Sequence, residues 1–123
     1  YADSAFIAML VVLESISERN KPLSEIVSEF DKYPSIPETN FEVEDKIGVM
    51  KSVERAYKEK AEKIDWLDGL SLWFSDGWVN SRLSNTQPLL RLNIEADNEA
   101  VLKKKEKEFI ELISSLGGKQ SKD

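Results

Sequence analysis

Apolar residues fall on alternate positions through most of the stretch from Leu70 to Ala96, and two short polar runs, SDG at 75–77 and SNTQP at 84–88, interrupt them. A helix cannot gather a period of two onto one side. A strand does so automatically, because successive side chains leave opposite faces. The stretch therefore reads as a hairpin, LSLWF and WVNSRL, followed by a further strand, LLRLNIEA. Asp76-Gly77 suits the tip as a type I′ turn, since glycine accepts the positive φ required there. That turn sets Phe74 opposite Val79, Leu72 opposite Ser81 and Leu70 opposite Leu83 on the core face. Trp73 then lies beside Asn80, and Ser71 beside Arg82, on the other face. On the next strand Leu90, Leu92 and Ile94 point inward, and Leu89, Arg91, Asn93 and Glu95 outward.

Upstream, NFEVED alternates Phe41 and Val43 with Asn40, Glu42 and Glu44, the pattern of a half-buried strand. Asp45 is the cap of a helix expected to run to about Lys63, with Ile47, Met50, Val53, Tyr57, Ala61 and Ile64 along one stripe. Downstream, a helix from about Asn98 to Leu116 carries Val101, Leu102, Lys105, Phe109, Leu112, Ile113 and Leu116, and Gly117-Gly118 ends it. KQSKD, residues 119–123, remains as a polar tail. Residues 38–118 thus read β-α-β-β-β-α. This is an α+β domain in which two helices cover one face of a four-stranded, mostly antiparallel sheet. The other face is mixed and holds Arg82 and Arg91.

Residues 1–32 are of a different kind. Residues 3–18 read as a helix capped by Asp3 or Ser4, apolar nearly all round from Phe6 to Leu13. Such a helix belongs in the interior of something large. Pro22, at a first-turn position, opens a second helix, LSEIVSEF, with Leu23, Ile26, Val27 and Phe30 on one face. YPSIP, residues 33–37, has two prolines and no period, and marks a linker and domain boundary. The start at Tyr1 reads as that of a fragment. The apolar run Ala5–Leu13 lacks a basic leader and is too short for a signal peptide or a bilayer span.

The loop within SRLSNTQPLLR (81–91) raises the functional question, because two arginines bracket hydroxyl and amide residues. Arginine offers a rigid fork of donors that matches phosphate oxygens. Ser84 and Thr86 offer hydroxyls, and Asn85 tolerates the left-handed conformation that turns backbone N–H groups into an anion nest. Charge-assisted bonds contribute roughly 1.5–3 kcal/mol each. Three or four of them, less ordering costs, hold a phosphate at only about millimolar affinity, as one wall of a composite site would. A plain surface turn flanked by exposed arginines explains the same residues, and chemistry alone leaves both readings open.

Composition narrows the rest. With no histidine and no cysteine, histidine-dependent triads, thiolate metal sites and disulfides are excluded. A net charge of -6 argues against nucleic acid and anionic membranes as partners. It also makes Trp73 and Trp78 packing residues rather than a base-stacking platform. Asp65 and Asp68 in IDWLDGL read as turn residues, not an acid–base pair, and KKKEKE (103–108) as a solvated helix face.

RLSNTQPLLRLNIEA resembles the phosphate-binding loop of the α-D-phosphohexomutases, the phosphomannomutase and phosphoglucomutase enzymes. Their C-terminal domain carries a pattern close to R-x-S-[N/G]-T-E-P-x-x-R, then a strand ending in E-A. YADS, KPLSE, YPSIPETN, VEDK and DGLSLWFSDGW resemble, in order, the stretch leading into that domain. The resemblance implies a TATA-binding-protein-like fold for residues 38–118, with residues 1–32 as the last helices of the preceding third domain and 33–37 as a hinge. It implies a cytoplasmic four-domain parent in which a phosphoserine exchanges its phosphoryl group with a hexose phosphate (mannose or glucose 1-/6-phosphate) through a bisphosphate intermediate. Mg2+ belongs to the second domain of such an enzyme and a sugar-reading loop to the third. The fourth domain grips the non-reacting phosphate.

Carried over by position, Arg82, Ser84, Asn85, Thr86 and Arg91 hold that phosphate. Gln87 stands where glutamate is usual, which puts in question a salt bridge orienting one arginine. Ala5 replaces a glycine, and Ile36 and Thr39 also depart from the pattern. No serine loop with an adjacent histidine, no D-G-D-x-D-R and no G-E-x-S-G is present. This chain by itself is therefore expected to be inactive and to bind no metal. Its expected partners are the remaining domains of the parent, with self-association through residues 6–13. A non-enzymatic anion-binding or oligomerisation module is the rival reading.

Overall fold

The computed structural model describes residues 4–121, which divide between Lys32 and Tyr33 into two compact units. The first unit holds helix α1 (Ala5–Arg19) and the short helix α2 (Leu23–Ser28). Ser4 begins α1, its hydroxyl accepting from the Ile7 N–H; the other expected cap, Asp3, lies outside the described residues. Asn20 ends α1 in the left-handed conformation, its N–H donating to the Ile16 carbonyl. Arg19 and Lys21 both reach Glu29, at 2.9 and 3.5 Å, and so tie the two helices together. Pro22 precedes the first turn of α2 rather than lying within it. That helix stops at Ser28, so Phe30 falls beyond it and only Ile26 of the expected face is buried. No residue of α1 is buried, and Phe6 and Leu10 are 77% and 60% exposed.

The second unit is a sheet of six strands, not four. They are β1 (Thr39–Glu42), β2 (Lys63–Asp65), β3 (Leu70–Phe74), β4 (Gly77–Leu83), β5 (Leu89–Ala96) and β6 (Lys119–Gln120). Their order is β2-β3-β4-β5-β1-β6, and every neighbouring pair is antiparallel. Helices α3 (Lys46–Tyr57) and α4 (Glu99–Ser115) complete the α+β arrangement.

The two extra strands have separate causes. Helix α3 starts as expected, with the Asp45 carboxylate accepting from the Gly48 N–H at 2.8 Å, but it ends at Tyr57. The Tyr57 carbonyl accepts from Lys60 and Ala61, closing the last turn. Ile64 continues the helical spacing, yet the open side of β3 offers its backbone partners. Residues 63–65 pair there, with Ile64 opposite Leu72. Long-range pairing thus overrides a local helical preference. Ile47, expected in the stripe, is 44% exposed, and Val49 is buried instead. At the other end, Lys119 and Gln120 pair with Glu42 and Phe41, so part of the polar tail is a strand. Its side chains are exposed, and only its backbone takes part, which composition cannot signal.

The hairpin register differs from expectation by two residues. Phe74 pairs with Gly77, Leu72 with Val79 and Leu70 with Ser81, leaving Ser75 and Asp76 as the turn. Gly77 meets a different need from the one expected. It opens β4 opposite Ala96, where a Cβ would stand 2.5 Å from the Glu95 carbonyl oxygen. A shift of two leaves every side chain on its face, whereas a shift of one would have inverted the sheet. Leu70, Leu72, Val79, Leu90, Leu92 and Ile94 accordingly all face the core with Phe41, Met50, Phe109 and Ile113.

Lys105 lies on the buried stripe of α4, as its spacing requires. Its stem packs inward, while its ammonium emerges 2.6 Å from the Asp76 carboxylate and 4.0 Å from the centre of the Phe74 ring. The charge thus leaves the core at the hairpin turn and pins that turn to the helix.

Tyr57 stacks on Phe109, with ring centroids 4.3 Å apart. Burial, and then the Glu108 carboxylate, push its pKa up to about 12. In the unfolded chain the phenol ionises near pH 10, where the folded one still keeps its proton. The stability it contributes is therefore complete below about pH 10 and is lost as pH rises toward 12. Denaturant titrations at about pH 9 and about pH 11.5 should show a loss that is smaller in Tyr57→Phe. Equal losses in the two proteins would contradict the assignment.

The stretch ahead of β1 is bonded to the sheet. The Pro34 carbonyl accepts from Ala96, Ile36 donates to Ile94, and Ser35 bridges Glu95. Thr39 then pairs with Leu92. Between these two pairings the first segment advances four residues and β5 only three. One extra residue thus lies at Pro37 and Glu38, so the chain bulges there ahead of β1, a device that bends a strand and re-aims a side chain.

Candidate anion site

Arg82 on β4 and Arg91 on β5 are direct cross-strand partners, on the sheet face away from α3 and α4. Their guanidinium groups converge on Glu38. Arg82 Nη2 donates to Glu38 Oε2 at 3.2 Å. Arg91 Nε lies 3.3 Å from Glu38 Oε1, an ion pair whose buried N–H is not aligned as a hydrogen bond. Arg82 Nη1 is also 3.7 Å from the Asp68 carboxylate. The arginine side chains remain 35% and 25% exposed. Asp68 is held by its backbone, for Asn80 Nδ2 donates to the Asp68 carbonyl at 2.8 Å and to Ser71 Oγ at 3.0 Å. Asp65, expected in a turn, is the last residue of β2, and its carboxylate accepts from the Leu67 N–H at 2.7 Å to open the turn that follows.

The loop between the arginines is closed by its own ends. Ser84 N–H donates to the Leu89 carbonyl, Leu89 N–H to the Gln87 carbonyl, and Gln87 N–H to Ser84 Oγ. Ser84 Oγ and Thr86 Oγ1 stand 3.5 Å apart. The amides of Asn85 and Thr86 take no part in these bonds, and both residues are exposed. The expected left-handed nest is not formed, because Asn85 is not among the residues with positive φ. The hydroxyl of Ser84 rounds the turn instead, as serine does in place of a left-handed residue.

The loop therefore presents two hydroxyls and two backbone amides beside two guanidinium groups that already share one carboxylate. With Glu38 and Asp68 counted, the cluster carries two positive and two negative charges. It lies on an open face rather than in a cavity. A groove of about 970 Å³ runs past Glu42, Asp45, Ser52 and Lys119 and touches the loop at Gln87, Pro88 and Leu89, but neither arginine lines it. Groove size is no guide here, because the donors that match an oxyanion lie elsewhere. Among the described residues no three carboxylates converge to hold a metal ion, and no helix is long and apolar enough to cross a membrane.

Two residues of the cluster escaped sequence reasoning. Asp68 reads as turn chemistry alone, and Glu38 only as the residue that follows the linker, ahead of the strand NFEVED. Gln87 contacts neither arginine through any bond described above; Glu38, from a separate segment, is the carboxylate paired with both. The one local hint was the pair of prolines ahead of Glu38, which disfavours regular pairing and so favours a bulge.

Known proteins resemble the chain in the same places. The family model for the phosphoglucomutase/phosphomannomutase C-terminal domain matches residues 38–112. A phosphomannomutase of Methanocaldococcus jannaschii is 42% identical over 116 residues, which cover 94% of this chain and 25% of that protein. Phosphohexose mutases of Xanthomonas campestris pv. campestris are 37% identical over 103 residues, covering 83% and 23%. The chain thus spans about a quarter of the length of these curated relatives. In fold it is similar to the crystal structure of a phosphoglucomutase/phosphomannomutase family protein from Burkholderia thailandensis. That likeness has a TM-score of 0.61 at 24% identity over 79% of this chain and 21% of the other.

Proposed function

Because the chain belongs to the phosphoglucomutase/phosphomannomutase family, whose C-terminal domain it carries at residues 38–112, we propose that it forms the phosphate-anchoring part of a phosphohexomutase. In this reading Arg82, Arg91, Ser84, Asn85 and Thr86 hold the non-reacting phosphate of a hexose phosphate while the other phosphate is exchanged elsewhere in the longer protein. The observation that supports it is the convergence of both guanidinium groups on one carboxylate. Cations close enough to share two carboxylate oxygens are close enough to share two phosphate oxygens.

The division of labour follows from the open geometry. A grip on the remote phosphate spends binding energy on orienting the reacting end, and so raises the rate rather than merely the affinity. Other domains would complete the walls, exclude water and supply the phosphoserine and Mg2+. Residues 1–32 are then the end of the preceding domain, which would cover the apolar surface of residues 6–13; without it, a second copy is expected to do so. Any swing of the domain would be taken up at the entry to residues 33–37, since Pro34 and Ile36 are bonded to β5.

Titration with inorganic phosphate and with glucose 1-phosphate, followed by amide NMR, tests the site. Shifts confined to residues 82–91, saturating at about millimolar concentration, are expected in the native sequence and should vanish in Arg82→Ala. In the full-length protein the same substitution should lower kcat/KM by at least about tenfold. An unperturbed loop, or an unchanged kcat/KM, would overturn the assignment.

A further inference from the structure

Arginines placed directly opposite one another across antiparallel strands repel, and such like-charged pairs weaken a sheet. Arg82 and Arg91 are such a pair, and Glu38 offsets the repulsion by giving one oxygen to each. A second, independent feature places it there. The bulge at Pro37 and Glu38 lies in the segment bonded along β5, so the carboxylate arrives from the strand beside Arg91 and reaches across to β4. Its side chain is 32% exposed, so an incoming anion can reach the same contacts.

We propose that Glu38 is a positioning residue of the anion site: its carboxylate is the resident counter-ion that keeps the Arg82 and Arg91 guanidinium groups side by side, and it yields part of them to an arriving phosphate. The proposal rests on the phosphate reading above and adds how the site stays assembled when empty. Carboxylate and phosphate serve the same cations, so each weakens the need for the other. Removing the carboxylate charge leaves the exposed Asp68, 3.7 Å from Arg82, as the one remaining carboxylate of the cluster, so the two cations carry a net positive charge that separates them when the site is empty and attracts a dianion more strongly.

The test uses the 123-residue chain with Glu38→Gln, which keeps size and removes charge, and Glu38→Asp, which keeps charge but is too short to span both cations. Without phosphate, Glu38→Gln should move the Nε–H resonances of both Arg82 and Arg91 and leave those of Arg19 and Arg55 in place. If neither moves, the proposal fails. Glu38→Asp should disturb one of the two, and provides the same readout if the glutamine variant does not fold. Melting temperatures are then followed against inorganic phosphate, with potassium chloride at matched ionic strength as control. Glu38→Gln should melt lower than the native sequence without phosphate, and the gap should close by at least about half at saturation. Phosphate should bind the variant about threefold tighter or more. A gap that phosphate does not change would mean that Glu38 is merely structural, and would overturn the proposal. If phosphate affects no protein at all, the phosphate reading falls and with it the exchange; the arginine spectra still decide whether Glu38 holds the pair.

Discussion

Phe109→Ala should lower the unfolding free energy by about 3–5 kcal/mol, the range for emptying a large aromatic from a packed core. Its ring is 1% exposed and joins three elements. It stacks on Tyr57 of α3 at 4.3 Å and meets Phe74 of β3 edge-on at 6.3 Å, while Tyr57 and Phe74 meet at 5.8 Å. Alanine would forfeit both ring contacts and the buried area together. Neighbours cannot collapse into the space, because they come from a helix and a sheet already fixed by their own hydrogen bonds. Denaturant unfolding gives the number directly. Phe109→Leu should lose less than half as much, and a loss below about 1.5 kcal/mol for the alanine variant would mean that the site repacks.

Gly69→Ala should be comparably damaging for a different reason. Gly69 has φ +70°, and an added Cβ would stand 2.4 Å from the Ser81 carbonyl oxygen and 2.7 Å from Arg82 Cα. A left-handed residue with a side chain costs roughly 1–2 kcal/mol by itself, and the atoms it meets are mainly backbone. Gly117 supplies the control. Its φ is +94°, but a Cβ there meets nothing within 4 Å, so Gly117→Ala should show the conformational cost alone, roughly 1 kcal/mol. The Gly69 variant should lose at least about twice that. It should also shift Arg82 Nε–H, because the turn it would displace carries Asp68 against that arginine. Equal effects at the two glycines would show that β4 yields easily where Arg82 is rooted.

Sequence reasoning succeeded where one physical rule decides the answer. Strand faces follow from parity, which survives even a wrong turn, so Leu70, Leu72 and Val79 face inward as the alternation requires although the hairpin register differs by two. Helix α4 begins at its Asn98 cap and ends with Leu116 as its last capping residue, because cap and glycine signals agree with the apolar spacing. Even Lys105 was legible as an inward position. The misses occurred where distant backbone groups decide. Nothing in KID or KQ marks a strand; β3 and β1 supply partners that only exist once folded. At the site, Arg82 and Arg91 could be put on one face by counting, but Glu38 could not. A bulge changes the count, and its presence depends on the pairing of Ser35 with Glu95.

The two rims of the sheet are its shortest strands, three residues in β2 and two in β6. An open rim is where one chain can template another, because a row of unmated amides and carbonyls will accept any extended peptide. Here each rim is brief and carries a lysine, Lys63 or Lys119. The longer, more apolar strands are thereby shut inside. The residues that looked like leftover tail serve as a selvedge, and a chain cut short before them would expose the Phe41–Glu42 border of β1 to its neighbours in a crowded solution.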